Sequence, residues 1–172
     1  MPEKKQTKYK TKETIVTEGK WAVGEYEYKA WKHHEEFKEQ LKQKKIVGSV
    51  CSSCGRVFVP PTYICGRCFR WIDERVVVSD KGIITGFVLS TPMRKGTKIL
   101  GMDPVEMGVV AEGEVLIPCI VKFHGSDTIV QTMLLNVDPK NVRVGMKVQA
   151  VWAKEPKGQL SDLEGVEPTK EQ

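Results

Sequence analysis

The pattern of hydrophobic and polar positions changes several times along the chain, and each pattern predicts a different structure. Residues 1–20 are rich in Lys, Thr and Glu with almost no large apolar side chains, which predicts a flexible basic tail. Residues 21–45 are predicted to be an amphipathic helical segment, because apolar and aromatic side chains recur there at helical spacing. These positions are i, i+4, i+7 and i+11: Ala30, His34, Phe37 and Leu41.

From residue 75 the apolar positions follow the two-residue period of β-strands. Residues 75–78 and 83–89 are predicted to form a hairpin around the turn Asp80-Lys81-Gly82. Further strands are predicted at residues 106–111, 114–123, 128–135 and 147–152, with a turn or a single helical turn at 138–145. About five short strands with one long loop, 91–105, fit a small closed barrel such as an OB-fold over residues 75–154. The polar residues 155–172 are predicted to be a mobile C-terminal tail.

Residues 46–74 contain four cysteines in two CxxC pairs, Cys51, Cys54, Cys65 and Cys68. This spacing is typical of a tetrahedral zinc site with four thiolate ligands. A strand is predicted at Val57-Phe58-Val59, and Gly55 and Gly66 are expected to supply the positive φ angles that such CxxC turns often need. Two disulfides are one alternative. Iron in a rubredoxin-like site is another, and it would make the chain an electron carrier.

Four thiolates fill a tetrahedral site, so the predicted metal has no open position for water or substrate. The metal is therefore expected to stabilise structure, since residues 46–74 have too few apolar side chains for a core of their own. Adjacent His33 and His34 cannot form the i, i+4 pair of a helical metal site. His124 has no nucleophile patterned around it, and no phosphate-binding glycine motif occurs. The sequence predicts a protein that is not an enzyme.

The composition, with 172 residues and 40% hydrophobic side chains, suits one or two small domains. The net charge of +5 is compatible with nucleic acid or a phosphorylated cofactor as a partner, and equally with a bland basic surface. Because no apolar run reaches membrane-spanning length and the first residues lack the apolar stretch of a signal peptide, the expected location is the cytoplasm. The fifth cysteine, Cys119, lies in an apolar run and is expected to be a buried thiol.

The order of these parts resembles one known family. An aromatic-bearing helix is followed by Cys51-Ser52-Ser53-Cys54-Gly55-Arg56-Val57-Phe58-Val59-Pro60-Pro61, then by Cys65-Gly66-Arg67-Cys68, then by Lys81-Gly82-Ile83-Ile84-Thr85-Gly86-Phe87. Over about residues 31–152 this resembles the family called domain of unknown function thirty-five. The resemblance implies a mainly β protein with an N-terminal helix, in which a rubredoxin-like zinc ribbon precedes a five-stranded OB-fold barrel.

The same resemblance implies association with acyl-CoA metabolism. Archaeal members of that family are similar to partners of acetoacetyl-CoA thiolase and 3-hydroxy-3-methylglutaryl-CoA synthase, at the entrance to the mevalonate pathway. What this implies for the chain is a non-catalytic scaffold in a hetero-oligomer, which bridges the two enzymes and helps to hold CoA or acyl-CoA as a shared ligand.

Two groups of side chains are candidate binding residues. In the loop 91–98, Arg94, Lys95 and Lys98 are candidates for the phosphates of CoA and Met93 for its pantetheine arm; the alternative is a solvated barrel loop. The candidate partner-docking face on the helix is Trp31, Phe37 and Leu41, with the alternative that these residues cover the barrel. Two interpretations, a solvated surface or a contact with a partner protein, stay open for Arg56, Arg67, Arg70 and Trp71.

A zinc ribbon followed by an OB-fold also suits a protein that binds single-stranded nucleic acid through stacking aromatics. The predicted strands are mostly aliphatic, and the aromatic residues Phe87, Phe123 and Trp152 are isolated enough to belong to the core. The sequence therefore shows no stacking platform, and nucleic acid is the second choice of partner.

Overall fold

The computed structural model describes residues 32–99 and 101–169. This part of the chain contains one α-helix, two single 3-10 turns and eight strands in two sheets. In chain order the helix and strands are α1 (Lys32–Lys42), β1 (Ile46–Val50), β2 (Val57–Phe58), β3 (Arg75–Val78), β4 (Lys81–Phe87), β5 (Pro118–Phe123), β6 (Val130–Met133), β7 (Lys147–Trp152) and β8 (Leu163–Pro168). The 3-10 turns lie at Pro139–Asn141 and Leu160–Asp162.

The smaller sheet is an antiparallel three-stranded sheet with the order β2-β1-β3, and it belongs to the cysteine-rich region. Its central strand β1 is buried along almost its whole length, which suits its position between two neighbours. At Gly48 a Cβ atom would lie 2.8 Å from the backbone oxygen of Phe58, so the close approach of β2 requires glycine there. The Oγ atom of Ser49 accepts a hydrogen bond from the backbone N–H of Thr62 and fixes the start of the following loop.

The larger sheet has five antiparallel strands in the order β6-β5-β4-β7-β8 and is strongly curled. A parallel bridge between Leu134 and Val166, with a hydrogen bond of 2.8 Å from the N–H of Leu135 to the oxygen of Val166, brings its two edge strands together. The result is a five-stranded, partly open barrel, as expected for an OB-fold. Its core consists of inward-facing side chains of the strands and adjoining loops: Ile84, Ile117, Cys119, Val121, Phe123, Leu134, Val148 and Val166. Ile46, Val59 and Val78 from the region of the smaller sheet belong to the same buried cluster.

Hydrogen bonds hold the smaller sheet against one end of the barrel. The N–H of Val57 donates to the Asp127 carboxylate, and the N–H of Asp127 donates back to the oxygen of Val57, both at 2.9 Å. The hydroxyl of Thr128 bonds both the N–H and the oxygen of Val59, at 2.7 and 2.8 Å. Because β2 is an edge strand, these contacts satisfy backbone groups that would otherwise be free. They couple the cysteine-rich region to the barrel.

The helix α1 covers the junction between the two sheets. Its apolar residues Phe37 and Leu41 are buried and pack with Val47 of β1 and the partly buried Trp152 of β7. The prediction that Phe37 and Leu41 form a docking face is therefore wrong, because the protein's own sheets occupy that face. The third predicted residue, Trp31, lies outside the described residues.

The fold class predicted from the sequence is confirmed, with three corrections. The predicted hairpin of residues 75–89 is wrong: β3 pairs with β1 in the smaller sheet, whereas β4 pairs with β5 and β7 in the barrel, so Ser79 and Asp80 cross between sheets. The predicted strand at 106–111 is absent, because Gly108 takes a positive φ of 69° within a series of turns. The predicted C-terminal tail contains β8, which supplies an edge strand of the barrel.

Candidate metal centre

The four cysteines lie on two CxxC turns of similar geometry, residues 51–56 and 65–70, which we call the first and second knuckle. In the first, the N–H of Gly55 donates to the oxygen of Cys51 at 2.8 Å, and the N–H of Cys51 donates to the oxygen of Arg56 at 2.9 Å. In the second knuckle the N–H of Phe69 and of Cys65 make the equivalent bonds, both at 2.9 Å. Each knuckle therefore presents two thiols from one side of a closed backbone turn.

The two knuckles face each other, so that the Sγ atoms of Cys51, Cys54, Cys65 and Cys68 all lie within 4.8 Å of one another. The Sγ atoms of Cys54 and Cys65 are 3.6 Å apart. A zinc–sulfur distance of about 2.3 Å in a tetrahedron places the sulfurs about 3.8 Å apart. All five cysteines are free thiols, which does not support the disulfide alternative. The donor set fits a structural zinc ion.

Backbone donors prepare this site for a metal by favouring the thiolate. Burial of Cys65 opposes its ionisation, but the N–H groups of Cys68 and Arg67, each 3.4 Å from its Sγ, and the neighbouring thiols of Cys54 and Cys51 hold its pKa at about 6, below the usual 9.0. Since the thiolate is the form that binds metal, this environment favours coordination at neutral pH.

The positive φ angles of the knuckles fall partly where the sequence predicts them. Gly55 has a φ of 72°, as expected, but Gly66 does not adopt a positive φ. The corresponding position of the second knuckle is occupied by Phe69, with a φ of 54°. The position of the second positive φ could have been predicted from the sequence, since Gly55 and Phe69 each directly follow the second cysteine of a pair. A bulky residue in the left-handed region is unusual.

Residues 38–70 match the family model described as the ChsH2, rubredoxin-like zinc ribbon domain. The chain contains a zinc ribbon. Most of the chain is also similar in fold to two solved structures. One is a protein of unknown function from the DUF35 family of Sulfolobus solfataricus, 24% identical, with a TM-score of 0.58 over 80% of this chain and 86% of that chain. The other is the Ltp2-ChsH2(DUF35) aldolase, 17% identical, with a TM-score of 0.53 over 83% of this chain and 98% of that chain.

At these identities the structural likeness establishes a shared fold. No curated protein matches the chain. The family resemblance predicted from the sequence is thus supported for the zinc ribbon and for the architecture that follows it, while the identity of the binding partners stays a prediction.

The loop predicted to contact CoA is ordered by an internal carboxylate. Asp103 is buried, and it accepts hydrogen bonds from the N–H groups of Gly96, at 2.6 Å, and Val105, at 2.9 Å. The N–H of Gly96 is the main reason that the pKa of Asp103 lies below its usual value of 3.8. Within this loop Met93 is buried, so it does not line an open groove.

The predicted cationic residues of the loop, Arg94, Lys95 and Lys98, are all exposed. The ammonium group of Lys95 lies 4.0 Å from Glu106, which partly offsets its charge. A cleft of about 800 Å³ lies between the segments 108–117 and 133–139, but its only charged lining residues are Glu114 and Glu164. That cleft does not suit the phosphates of CoA, and a CoA contact at the cationic loop stays a prediction.

Two other residues singled out in the sequence, Cys119 and His124, lie apart from the metal centre, whereas Arg56, Arg67 and Arg70 lie in its knuckles. Cys119 is buried in the barrel core as predicted, and burial raises the pKa of its thiol to about 11, so it is neutral at physiological pH. His124 is exposed at the end of β5. Among the helices that the structure describes, none has the length and apolar character needed to cross a membrane.

Proposed function

We propose that the chain is a zinc-stabilised accessory subunit of an acyl-CoA enzyme complex, and that it performs no chemistry of its own. The observation that carries this proposal is the four-thiolate site, because four protein ligands leave no coordination position for a substrate. The metal then fixes the shape of the two knuckles, which have few buried apolar side chains of their own.

The likeness to the Ltp2-ChsH2(DUF35) aldolase supports an enzyme as the partner, since that structure combines a protein of the same fold with a second component. The partners that we propose are acetoacetyl-CoA thiolase and 3-hydroxy-3-methylglutaryl-CoA synthase, in the cytoplasm. In this arrangement the chain bridges the enzymes, and its loop residues Arg94, Lys95 and Lys98 help to hold CoA between them.

The barrel offers little support for the alternative of a single-strand-binding protein. Phe123 is fully buried, and Trp152 packs against α1, so neither is available to stack on a base.

The test is reconstitution with the thiolase and the synthase encoded by the same genome, each purified separately. Light scattering after size-exclusion chromatography should show a complex that contains the chain and at least one enzyme, with one zinc per chain by elemental analysis. The chain alone should not turn over acetoacetyl-CoA. Failure to bind either enzyme would exclude these partners, and iron in place of zinc would favour an electron carrier.

A further inference from the structure

The second knuckle exposes a group of aromatic and basic side chains to solvent. It stands at the tip of a short antiparallel hairpin, in which Ile64 and Trp71 form a bridge and the N–H of Ile72 donates to the oxygen of Tyr63 at 2.7 Å. On one face Cys65 and Ile72 are buried against the metal centre.

The opposite face of the hairpin points to solvent. Phe69 is 81% exposed, Trp71 is 56% exposed and Ile64 is 52% exposed. We call this surface the knuckle patch: Tyr63, Ile64, Arg67, Phe69, Arg70 and Trp71. The ring centroids of Tyr63 and Trp71 are 5.3 Å apart, and the indole N–H of Trp71 donates to the Asp73 carboxylate at 2.7 Å, so the aromatic side chains are held in place before any partner binds.

Phe69 combines a largely exposed side chain with an unusual backbone conformation. Its φ of 54° lies in the region that favours glycine, and the first knuckle has Gly55 at the equivalent position with a φ of 72°. The fold therefore holds a large aromatic side chain in an unfavourable backbone conformation and leaves it in water. Strained residues that the surroundings hold in place are concentrated at active sites, ligand clamps and switch regions.

The cationic side chains around these aromatic residues are all arginines, and Asp73 is held by the Trp71 indole. Three of the six arginines of the chain, Arg56, Arg67 and Arg70, lie in the two knuckles and are exposed, whereas none of the 21 lysines falls within residues 51–74. Arginine, tyrosine and tryptophan are the residues most enriched at energetically important positions of protein interfaces, where lysine is depleted. A surface that follows a nucleic-acid backbone uses lysine as well.

We infer that the knuckle patch is the surface by which the chain binds an acidic patch on a protein partner, with Phe69 and Trp71 as apolar anchors and Arg67 and Arg70 as ion-pair partners. This inference rests on the proposed function, and it names the surface that meets the enzyme. The metal centre directly beneath the patch keeps it rigid, which reduces the entropy lost on binding.

The main test compares Phe69→Gly with the wild type in binding to the purified thiolase and synthase, measured by isothermal titration calorimetry. Because glycine relieves the positive φ, the variant should keep one zinc per chain and unfold at the same or a higher temperature. Its affinity for the enzyme should nevertheless fall at least tenfold. Val88→Ala, which shortens an apolar side chain 65% exposed on the barrel, is the matched control and should bind like the wild type.

The charge test uses the double substitution Arg67→Glu and Arg70→Glu, with Arg143→Glu on the barrel as its control. Both arginines of the patch are exposed, so the double variant should fold, yet it should lose at least tenfold in affinity at 0.1 M NaCl. The wild-type complex should weaken as NaCl is raised, since exposed ion pairs are screened. This variant keeps the question decidable even if Phe69→Gly loses zinc.

The outcomes separate the two proposals. If the wild type binds an enzyme and both knuckle variants bind it equally well, the inference is overturned while the proposed function stands. If the wild type binds neither enzyme, the proposed function fails and the inference fails with it. If instead the wild type binds a fluorescein-labelled 20-nucleotide single-stranded DNA and the arginine variant loses that binding, the patch recognises nucleic acid and the inference is overturned.

Discussion

The zinc ribbon and the barrel are stabilised by different means. The barrel has a continuous core of buried aliphatic side chains around Phe123. In the ribbon, apart from the cysteines, only Ile72 is fully buried near the metal centre, and Phe58 is partly buried. Burying a side chain such as Phe contributes about 1.5–3 kcal/mol, so apolar burial can stabilise the barrel core, to which Ile46, Val59 and Val78 of the ribbon also contribute, whereas it cannot stabilise the knuckles.

This difference explains what each region can expose to solvent. A barrel strand that moved Ile84 or Val148 to the surface would lose core, because alternate positions of each strand are committed to the interior. The ribbon is fixed by four sulfur ligands, so Phe69 and Trp71 are free to point outward. A metal-stabilised region can therefore devote its large side chains to binding.

The largest expected effect comes from removing the metal. Structural zinc contributes about 10–16 kcal/mol of apparent binding free energy in small domains, so Cys65→Ser, or a chelator under reducing conditions, should unfold the ribbon. Hydrogen exchange should become fast at the backbone amides of residues 51–72 and remain slow at Val121 and Val148 of the barrel. Ser52→Ala, at an exposed position of the first knuckle, is the control and should retain zinc.

A uniform loss of protection across both regions would show that the barrel also depends on the metal, through the hydrogen bonds that join Val57 and Val59 to residues 127 and 128. If the ribbon amides stay protected from hydrogen exchange without metal, the ribbon does not depend on the metal for its stability, and the proposed difference from the barrel is wrong.

The next effect in size concerns the barrel. Phe123→Ala removes a fully buried ring from the last position of β5 and should lower the free energy of unfolding by about 3–5 kcal/mol, measured by urea denaturation with zinc present. The zinc content of the folded variant should not change. Ile120→Ala on the outward face of the same strand is the control, with an expected change of about 1 kcal/mol or less. Equal effects of the two substitutions would show that the barrel core is not where its stability resides.

The sequence predicts the ribbon better than the barrel, for a physical reason. Metal ligands are specific residue types at short spacing, so Cys51 to Cys68 could be assigned from local sequence alone. Strand pairing depends on distant partners. The run Arg75–Val78 has the period of a strand but no local signal that it pairs with Ile46–Val50 and not with the strand directly after it.

The remaining errors also come from tertiary context. The helix stripe of Phe37 and Leu41 shows that a face is apolar but not what covers it, and the structure shows that the protein's own sheets do. In β8, Gly165 and the acidic residues Glu164 and Glu167 obscure the strand pattern, because Val166 is the one apolar side chain fully buried in the core and Leu163 packs against it only partly buried. Neither arrangement can be inferred without the partner elements.

The smallest expected effect concerns Asp162, which stabilises the turn before β8. It acts through hydrogen bonds, and not through metal binding or apolar burial. Its carboxylate accepts hydrogen bonds from the N–H groups of Lys157 at 2.9 Å, Gly158 at 2.6 Å and Gln159 at 2.9 Å. The bond from Lys157 is the main reason that the pKa of Asp162 lies below its usual value of 3.8. The charged form is therefore favoured in the folded protein, and its contribution to stability is present above about pH 4 and is lost as the pH falls below that value.

Asp162→Asn replaces one acceptor oxygen with a donor and should destabilise the barrel at pH 7, because two N–H groups share the oxygen Oδ2. The difference in urea midpoint between this variant and the wild type should be largest above pH 5 and should shrink below pH 4. There the carboxylate becomes protonated first in the unfolded chain and then, below its lowered pKa, in the folded protein. Asp80→Asn, at an exposed position, is the control for a general change in charge. A difference that stays constant from pH 7 to pH 3 would mean that the turn depends on the shape of the side chain, and that this part of the barrel is held by packing like the rest.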